Sequence, residues 1–293
     1  MIKRLSIFAL ILCGVSLAAC SASDPAMTAP VARRDTAVLA PGFPDPEQDF
    51  ASAELQRAVG VLRGILREEP SSQDAQIKLG EVYLRLHQPT DAMKQFTAAL
   101  TSSAHEAVAK QGLGLCFLKL GDPDSARKYL GEAVAKDPTL WRAHLGLAKL
   151  ADTARDWVAA EAAYQAALAP SPHAAAHNNL GLSYARQSRH DDAIAQFQAS
   201  LAIKQDPIVR TNMRFAYAMK GNYLNALAGV AKENLADALN NVGYAAMLRG
   251  DYEAAEAYFT RAIEASATHH GLAADNLQLL KDLRQTKIAR AAP

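Results

Sequence analysis

The sequence predicts an all-α protein, a superhelical solenoid of about six helix-turn-helix repeats with a leading half-repeat and a C-terminal capping helix. Three observations predict it. Residues recur at a fixed step: Gly80, Gly114 and Ala148 lie 34 apart, as do Ala92, Ala126 and Ala160. Half of the residues are apolar, alanine is abundant and β-branched runs are scarce, which favours helix over sheet. Prolines punctuate the repeat, Pro138 and Pro172 again 34 apart. Each stands where a helix must stop, because proline lacks the amide donor and clashes with the preceding turn.

The elements follow in chain order. Lys3 and Arg4 precede an apolar stretch from Leu5 to Leu17, too short to span a bilayer. Positive charge, apolar core and small residues before a cut describe a signal peptide over residues 1–19. Leu17-Ala18-Ala19-Cys20 resembles the bacterial lipoprotein lipobox. That resemblance implies a diacylglycerol on the Cys20 thiol, cleavage before Cys20 and acylation of the new amine. Several acyl chains anchor a protein stably without spanning the membrane. Ser21 follows where aspartate would retain the chain at the inner membrane, so the expected location is the periplasmic face of the outer membrane. An ordinary signal peptide with an incidental cysteine is the alternative.

Cleavage would remove Lys3 and Arg4, leaving 29 basic residues of 31 against 30 acidic ones. A near-neutral chain without basic runs has no electrostatic footprint for nucleic acid. With Cys13 removed and Cys20 acylated, Cys116 is the one remaining thiol, so no intramolecular disulfide forms. Its setting, LGLCFLKL, marks it as a small core residue. Residues 20–50 carry Pro25, Pro30, Pro41, Pro44 and Pro46 among small and polar residues, and read as a disordered linker after the lipidated cysteine. Its span is roughly 30 Å as a coil and about 90 Å as polyproline II.

The repeat array occupies residues 51–290. Ala58, Leu62, Ile65 and Pro70 form the second helix of an incomplete leading unit. The alanine rungs at 58, 92, 126, 160, 193, 226 and 255 then step by 34, 34, 34, 33, 33 and 29. Phe96, Leu130, Tyr164, Phe197 and Phe259 accompany them, and Trp157, Tyr223 and Tyr252 open second helices. Residues 271–285 close the array and shield its last apolar face.

This pattern resembles the tetratricopeptide repeat (TPR), a pair of antiparallel helices with a 34-residue period. Glycine or alanine where the helices cross lets the backbones approach, and large apolar residues fill the gaps. Two departures stand out. Arg214 occupies a crossing position, and the fifth unit is about five residues short before ENLADALNN. A truncated helix or a tighter corner is expected there, with a change of curvature or a hinge at 229–236.

No catalytic constellation appears, so the expectation is a non-enzyme. There is no nucleophile elbow and no phosphate loop. His173 and His177 are four apart, but His173 follows Pro172 at the helix start and no third ligand is evident, so no metal is expected. His269-His270 reads as a solvated loop. Asp191-Asp192 reads as helix-capping residues complementing a dipole. No cofactor is expected beyond the lipid on Cys20.

First helices line the concave face in TPR proteins. Asn179, Asn212 and Asn241 share one position there, two residues before the crossing, and Asn276 is a possible fourth. Asparagine is a mediocre helix former, and its amide both donates and accepts. In TPR proteins of this kind such asparagines hold ligand main chain; bridging of neighbouring helices is the alternative. One turn on come Leu115, Leu182, Phe215 and Tyr244, which would form an apolar slot or pack on an adjacent repeat. Lys78, Arg142 and Lys149 do not reproduce the family's carboxylate-clamp spacing.

The strings NNLGLSYARQSRHDDAIAQFQASLAI, DPIVRTNMRFAYAMKGNYLNAL and NNVGYAAMLRGDYEAAEAYFTRAIEAS resemble the TadD family, TPR lipoproteins of Tad (Flp) pilus systems. That resemblance implies a pilotin-like assembly factor whose partner is the secretin or another pilus component. A general envelope adaptor, for barrel assembly or peptidoglycan enzymes, is the alternative.

Overall fold

The computed structural model describes residues 52–101, 104–266 and 271–291. The expected signal peptide, Cys20 and the expected linker lie outside the described residues, as do His269 and His270. Among the described residues all regular structure is helical, and no helix is long and apolar enough to cross a membrane. The chain forms two compact units, whose described parts are residues 52–183 and 184–291.

In the first unit α1 (Ser52–Glu68) is the expected half-repeat. The pairs α2 (Gln73–Arg85) with α3 (Pro89–Ala99), α4 (Glu106–Leu120) with α5 (Pro123–Lys136), and α6 (Trp141–Thr153) with α7 (Trp157–Leu168) follow, then most of α8 (Ala174–Arg186). The second unit holds α9 (His190–Ile203), α10 (Pro207–Met219), α11 (Tyr223–Leu227), a 3-10 turn at Lys232–Asn234, α12 (Leu235–Arg249), α13 (Tyr252–Ala265) and α14 (Gly271–Ala291). Trp157, Tyr223 and Tyr252 are the first residues of their helices, as the repeat pattern indicated. The closing helix runs further than residue 285.

One device makes every turn between first and second helix. His87, Gly121, Arg155, Ser188, Gly221 and Gly250 all have positive φ. The next amide in each case reaches back to a carbonyl five residues earlier, as in Gln88 N–H to Tyr83 O at 2.8 Å and Asp156 N–H to Ala151 O at 2.9 Å. This is the left-handed helix stop that satisfies orphan carbonyls. The same residue then opens the second helix: the carboxylates of Asp122, Asp156 and Asp251 and the Asn222 amide oxygen accept from backbone N–H three residues on. The Ser125 side chain first, and that backbone hydrogen bond second, hold the Asp122 carboxyl below its ordinary range.

Three of the six left-handed positions are not glycine. A left-handed side chain costs ~1–2 kcal/mol, against ~0.5–1 kcal/mol for glycine's extra chain entropy. Arg155→Gly is therefore expected to stabilise the protein by about 0.5 kcal/mol, read from urea denaturation. A loss of stability would show that the Arg155 side chain is held by contacts worth more than the strain.

Packing follows the small residues. Second helices lie between two first helices: α3 between α2 and α4, α5 between α4 and α6, α11 between α10 and α12, α13 between α12 and α14. A Cβ on Gly80 would sit 2.8 Å from Phe96 Cζ, and one on Gly112 would sit 2.5 Å from Phe96 Cδ1, so the ring is wedged between two glycines. Leu130 is wedged in the same way between Gly114 and Gly146. Gly112 and Gly146 form a second small-residue ladder beside the one at 80, 114 and 148. Successive first helices also touch, α2 with α4, α4 with α6, α10 with α12 and α12 with α14, so they make the inner layer of each unit.

The irregular fifth unit is a truncated helix. α11 has five residues, and the chain leaves it through Gly229 at φ +64°. Arg214 stands where glycine would meet a full second helix, and donates to Ala228 O at 3.4 Å and Gly229 O at 3.1 Å. The long side chain reaches the carbonyls that the missing turn would otherwise have bonded. Asp191 and Asp192 do lie in the first turn of α9, where they complement its dipole, yet neither caps it: the N-cap is Arg189, with no side-chain cap hydrogen bond. Asp192 pairs with Arg189 at 2.7 Å, and Asp191 with Lys220 at 2.6 Å.

Candidate partner-binding surface

The inner layer of first helices carries the residues singled out by sequence, and burial divides them. In the first unit Asn179 is partly exposed on α8, while Leu182 is 3% exposed and belongs to the core. In the second unit Asn212 is 4% exposed and is engaged inside the protein. Asn241 is partly exposed. Phe215 is half-buried against Ala218, Ala226, Val242 and Ala245. Tyr244 is half-buried against Ala246, Met247, Ala255, Phe259 and Leu280, and burial pushes its phenol pKa up. The surface available to a partner is thus Asn179 in one unit, and Asn241 with the outer parts of Phe215 and Tyr244 in the other.

Helix bridging is done by amides one residue earlier, which sequence reasoning missed. Gln111 Oε1 accepts from Ala143 N–H at 3.1 Å, tying α4 to the first turn of α6. Asn276 Nδ2 donates to Asn240 Oδ1 at 2.9 Å, tying α14 to α12. Asn276 is accordingly a bridge between helices, and Asn178, also buried, holds the same repeat position as Gln111 and Asn240. The signal was present in the doubled asparagines NN at 178–179 and 240–241. A step of one residue rotates a side chain by about 100° around the helix, so one amide of each pair turns inward and the other faces out.

Several other polar groups have structural partners. Glu106 meets Lys110 at 2.7 Å and Lys136 at 2.6 Å, and Lys110 meets Glu132 at 2.8 Å, closing the open end of the α4–α5 pair. The Glu106 carboxyl is held below its ordinary range by Lys110 first and Lys136 second. Arg142 lies 4.0 Å from Glu81 across the inner face of the first unit. His173 stacks on Trp141 with centroids 4.0 Å apart, and its Nε2 lies 3.0 Å from Ser171 Oγ. Among the described residues no group of three or more potential ligands could hold a metal. Cys116 is buried, and desolvation pushes its thiol up to about 12.

Two family models of the tetratricopeptide repeat match the chain, one at residues 50–107, 112–175 and 154–207, the other at 236–269. Together they cover more than half of it. The chain is a tetratricopeptide-repeat protein. Its TPR matches leave out 208–235, which is the stretch with Arg214 and the shortened α11. No curated protein matches the chain. Among solved structures it is similar to the APC/C hetero-tetramer Cut9-Hcn1, at 18% identity and TM-score 0.57 over 78% of this chain and 46% of that one. It is also similar to pilF of Pseudomonas aeruginosa, at 19% and 0.52 over 72% of this chain and 97% of that one. A third is the C-terminal part of a TPR protein from Cytophaga hutchinsonii, at 18% and 0.51 over 76% and 95%. At these identities the likeness is one of fold. TPR arrays serve generally as non-enzymatic scaffolds for protein–protein interaction, and this one has the inner layer such binding uses.

Proposed function

We propose that this protein is a lipid-anchored scaffold on the periplasmic face of a bacterial outer membrane. There it assists assembly of a Tad (Flp) pilus, acting like a pilotin that holds a segment of the secretin or another pilus component. The observation that carries this is the LAAC sequence ending at Cys20, followed by Ser21, in front of a TPR array. The anchor sets the place and the array supplies the grip. Asn241 would hold main chain of the bound segment, with Phe215 and Tyr244 as apolar contacts in the same unit, and Asn179 would offer an equivalent amide in the other unit.

The departure of residues 208–235 from the family pattern favours a second reading, a general envelope adaptor for barrel assembly or peptidoglycan enzymes. A crosslinked pull-down of the intact lipoprotein from its native envelope separates the two. Recovery of a secretin or pilus protein, with outer-membrane targeting lost in Cys20→Ser, is the expected result. Recovery of barrel-assembly or peptidoglycan proteins alone would discard the pilus. For the binding surface, Asn241→Ala is expected to weaken capture of that partner about tenfold with the melting temperature unchanged. Undiminished capture in both Asn179→Ala and Asn241→Ala would refute the asparagine contacts.

A further inference from the structure

Side chains stitch the second unit together at its turn edge. The α8–α9, α10–α11 and α12–α13 turns stand side by side there, each tied to the next. Lys220 Nζ lies 2.6 Å from Asp191 Oδ1. Tyr223 Oη donates to Asp251 Oδ2 at 2.9 Å, and Arg249 donates to the Met219 carbonyl. The Arg249 guanidinium lies so close over the α10–α11 turn that a Cβ on Gly221 would be 2.9 Å from its Nη2. These ties cross the thinnest stretch of the unit. There α11 has five residues where α9 and α13 have fourteen each, so the second helix does little to hold α10 against α12.

His190 stands on the same edge. It opens α9 as Trp157, Tyr223 and Tyr252 open α7, α11 and α13, so an imidazole takes the place of an indole or a phenol. The ring is half-buried, and its Nδ1 is buried with no hydrogen-bond partner among the described residues. Such a nitrogen is tolerable unprotonated, and costly as a charged N–H with nothing to accept from it. Of the charged groups along the edge, Arg249 opposes a charge on His190 and Asp191 favours one. Asp191 is engaged by Lys220, Arg189 pairs with Asp192, and Tyr223 bonds Asp251.

We propose that His190 makes this edge an acid-sensitive latch. Neutral, the ring leaves Arg249 on the Met219 carbonyl and the three turns closed. Protonated, it sets a second cation against Arg249 and an unmatched N–H inside the protein, and the turns part at the shortened α11. Burial first, and the Arg249 charge second, hold the folded imidazole below its ordinary value of 6.5. As the pH falls through that value, the opened form takes up the proton before the closed one, so closure is undiminished above it and lost below it. Phe215 on α10 and Tyr244 on α12 form the candidate partner surface of this unit. Acid opening would therefore release a bound segment, a consequence that rests on the proposed function, whereas the latch itself does not.

Hydrogen exchange of residues 207–249, followed by mass spectrometry on the purified protein and corrected for intrinsic rates, reads the latch directly. Between about pH 7.5 and about pH 5.5 the opening equilibrium is expected to rise by up to about tenfold, the full effect of one unit below the ordinary histidine value. His190→Tyr, the residue type that opens α11 and α13, should abolish the rise, and so should His190→Gln, which stays neutral at both pH values. Protection that does not change with pH in the wild-type chain would overturn the proposal. A rise that survives in both variants would overturn it as well, because another group would then be the one that titrates.

Discussion

Gly112→Ala is expected to destabilise the first unit by about 2 kcal/mol, although alanine is the better helix former by ~1 kcal/mol. The sign is decided by space. The new methyl would sit 2.5 Å from Phe96 Cδ1, and the ring cannot retreat because a Gly80 Cβ position lies 2.8 Å from its far end. Overpacking in a buried site costs ~1–3 kcal/mol beyond any propensity gain. Thermal unfolding followed by circular dichroism would show the loss, and Phe96→Leu added to Gly112→Ala should restore part of it. A double variant no more stable than Gly112→Ala alone would show that the ring is not the obstruction. Gly131 is the matching control, since nothing lies within 4 Å of its Cβ position. Gly131→Ala should stabilise by up to ~1 kcal/mol through propensity.

Asp152→Ala should be at least as costly, about 3–5 kcal/mol. Asp152 is 5% exposed, and its two oxygens accept from Tyr164 Oη at 2.8 Å and Ser183 Oγ at 2.6 Å. Both hydroxyls are buried, so deleting the carboxylate takes the Asp152 acceptor from two donors that water does not reach, at ~1–3 kcal/mol each. Asp152→Asn keeps an acceptor and the volume, and should lose roughly half as much. Tyr164→Phe with Ser183→Ala, added to Asp152→Ala, should recover stability because the two hydroxyls that bonded the carboxylate are then removed with it. Urea midpoints across this set check the account; a triple variant as unstable as Asp152→Ala alone would place the cost in packing instead.

That network was legible in the sequence and went unread. Tyr164 is the member with a hydroxyl in the series Phe96, Leu130, Tyr164, Phe197 and Phe259, and its repeat has aspartate where others have Leu84, Leu118 and Met247. The same holds for the caps Asp122, Asp156, Asn222 and Asp251, which open four of the second helices at constant offset from the crossing. The candidate binding residues were legible to within one residue. Period locates a turn of helix but not its rotation, and a shift of ~100° separates a bridging Asn240 from an outward Asn241. At Asn212, in the repeat position of the outward Asn179 and Asn241, the preceding residue is Thr211 and the single amide went inside.

Local sequence determined the class of this protein, its helix ends and its repeat register. Spacing, prolines and small crossing residues act over one or two turns, where covalent geometry leaves few choices. Tertiary structure decided which residues stay in contact with water. Whether Ile65 is covered, whether Leu182 faces a partner or the core, and whether Arg214 meets a helix or its missing turn depend on neighbours more than ten residues away. Burial is a property of the packed layers, and equivalent positions in a repeat become inequivalent wherever a neighbouring helix is shortened, as at α11.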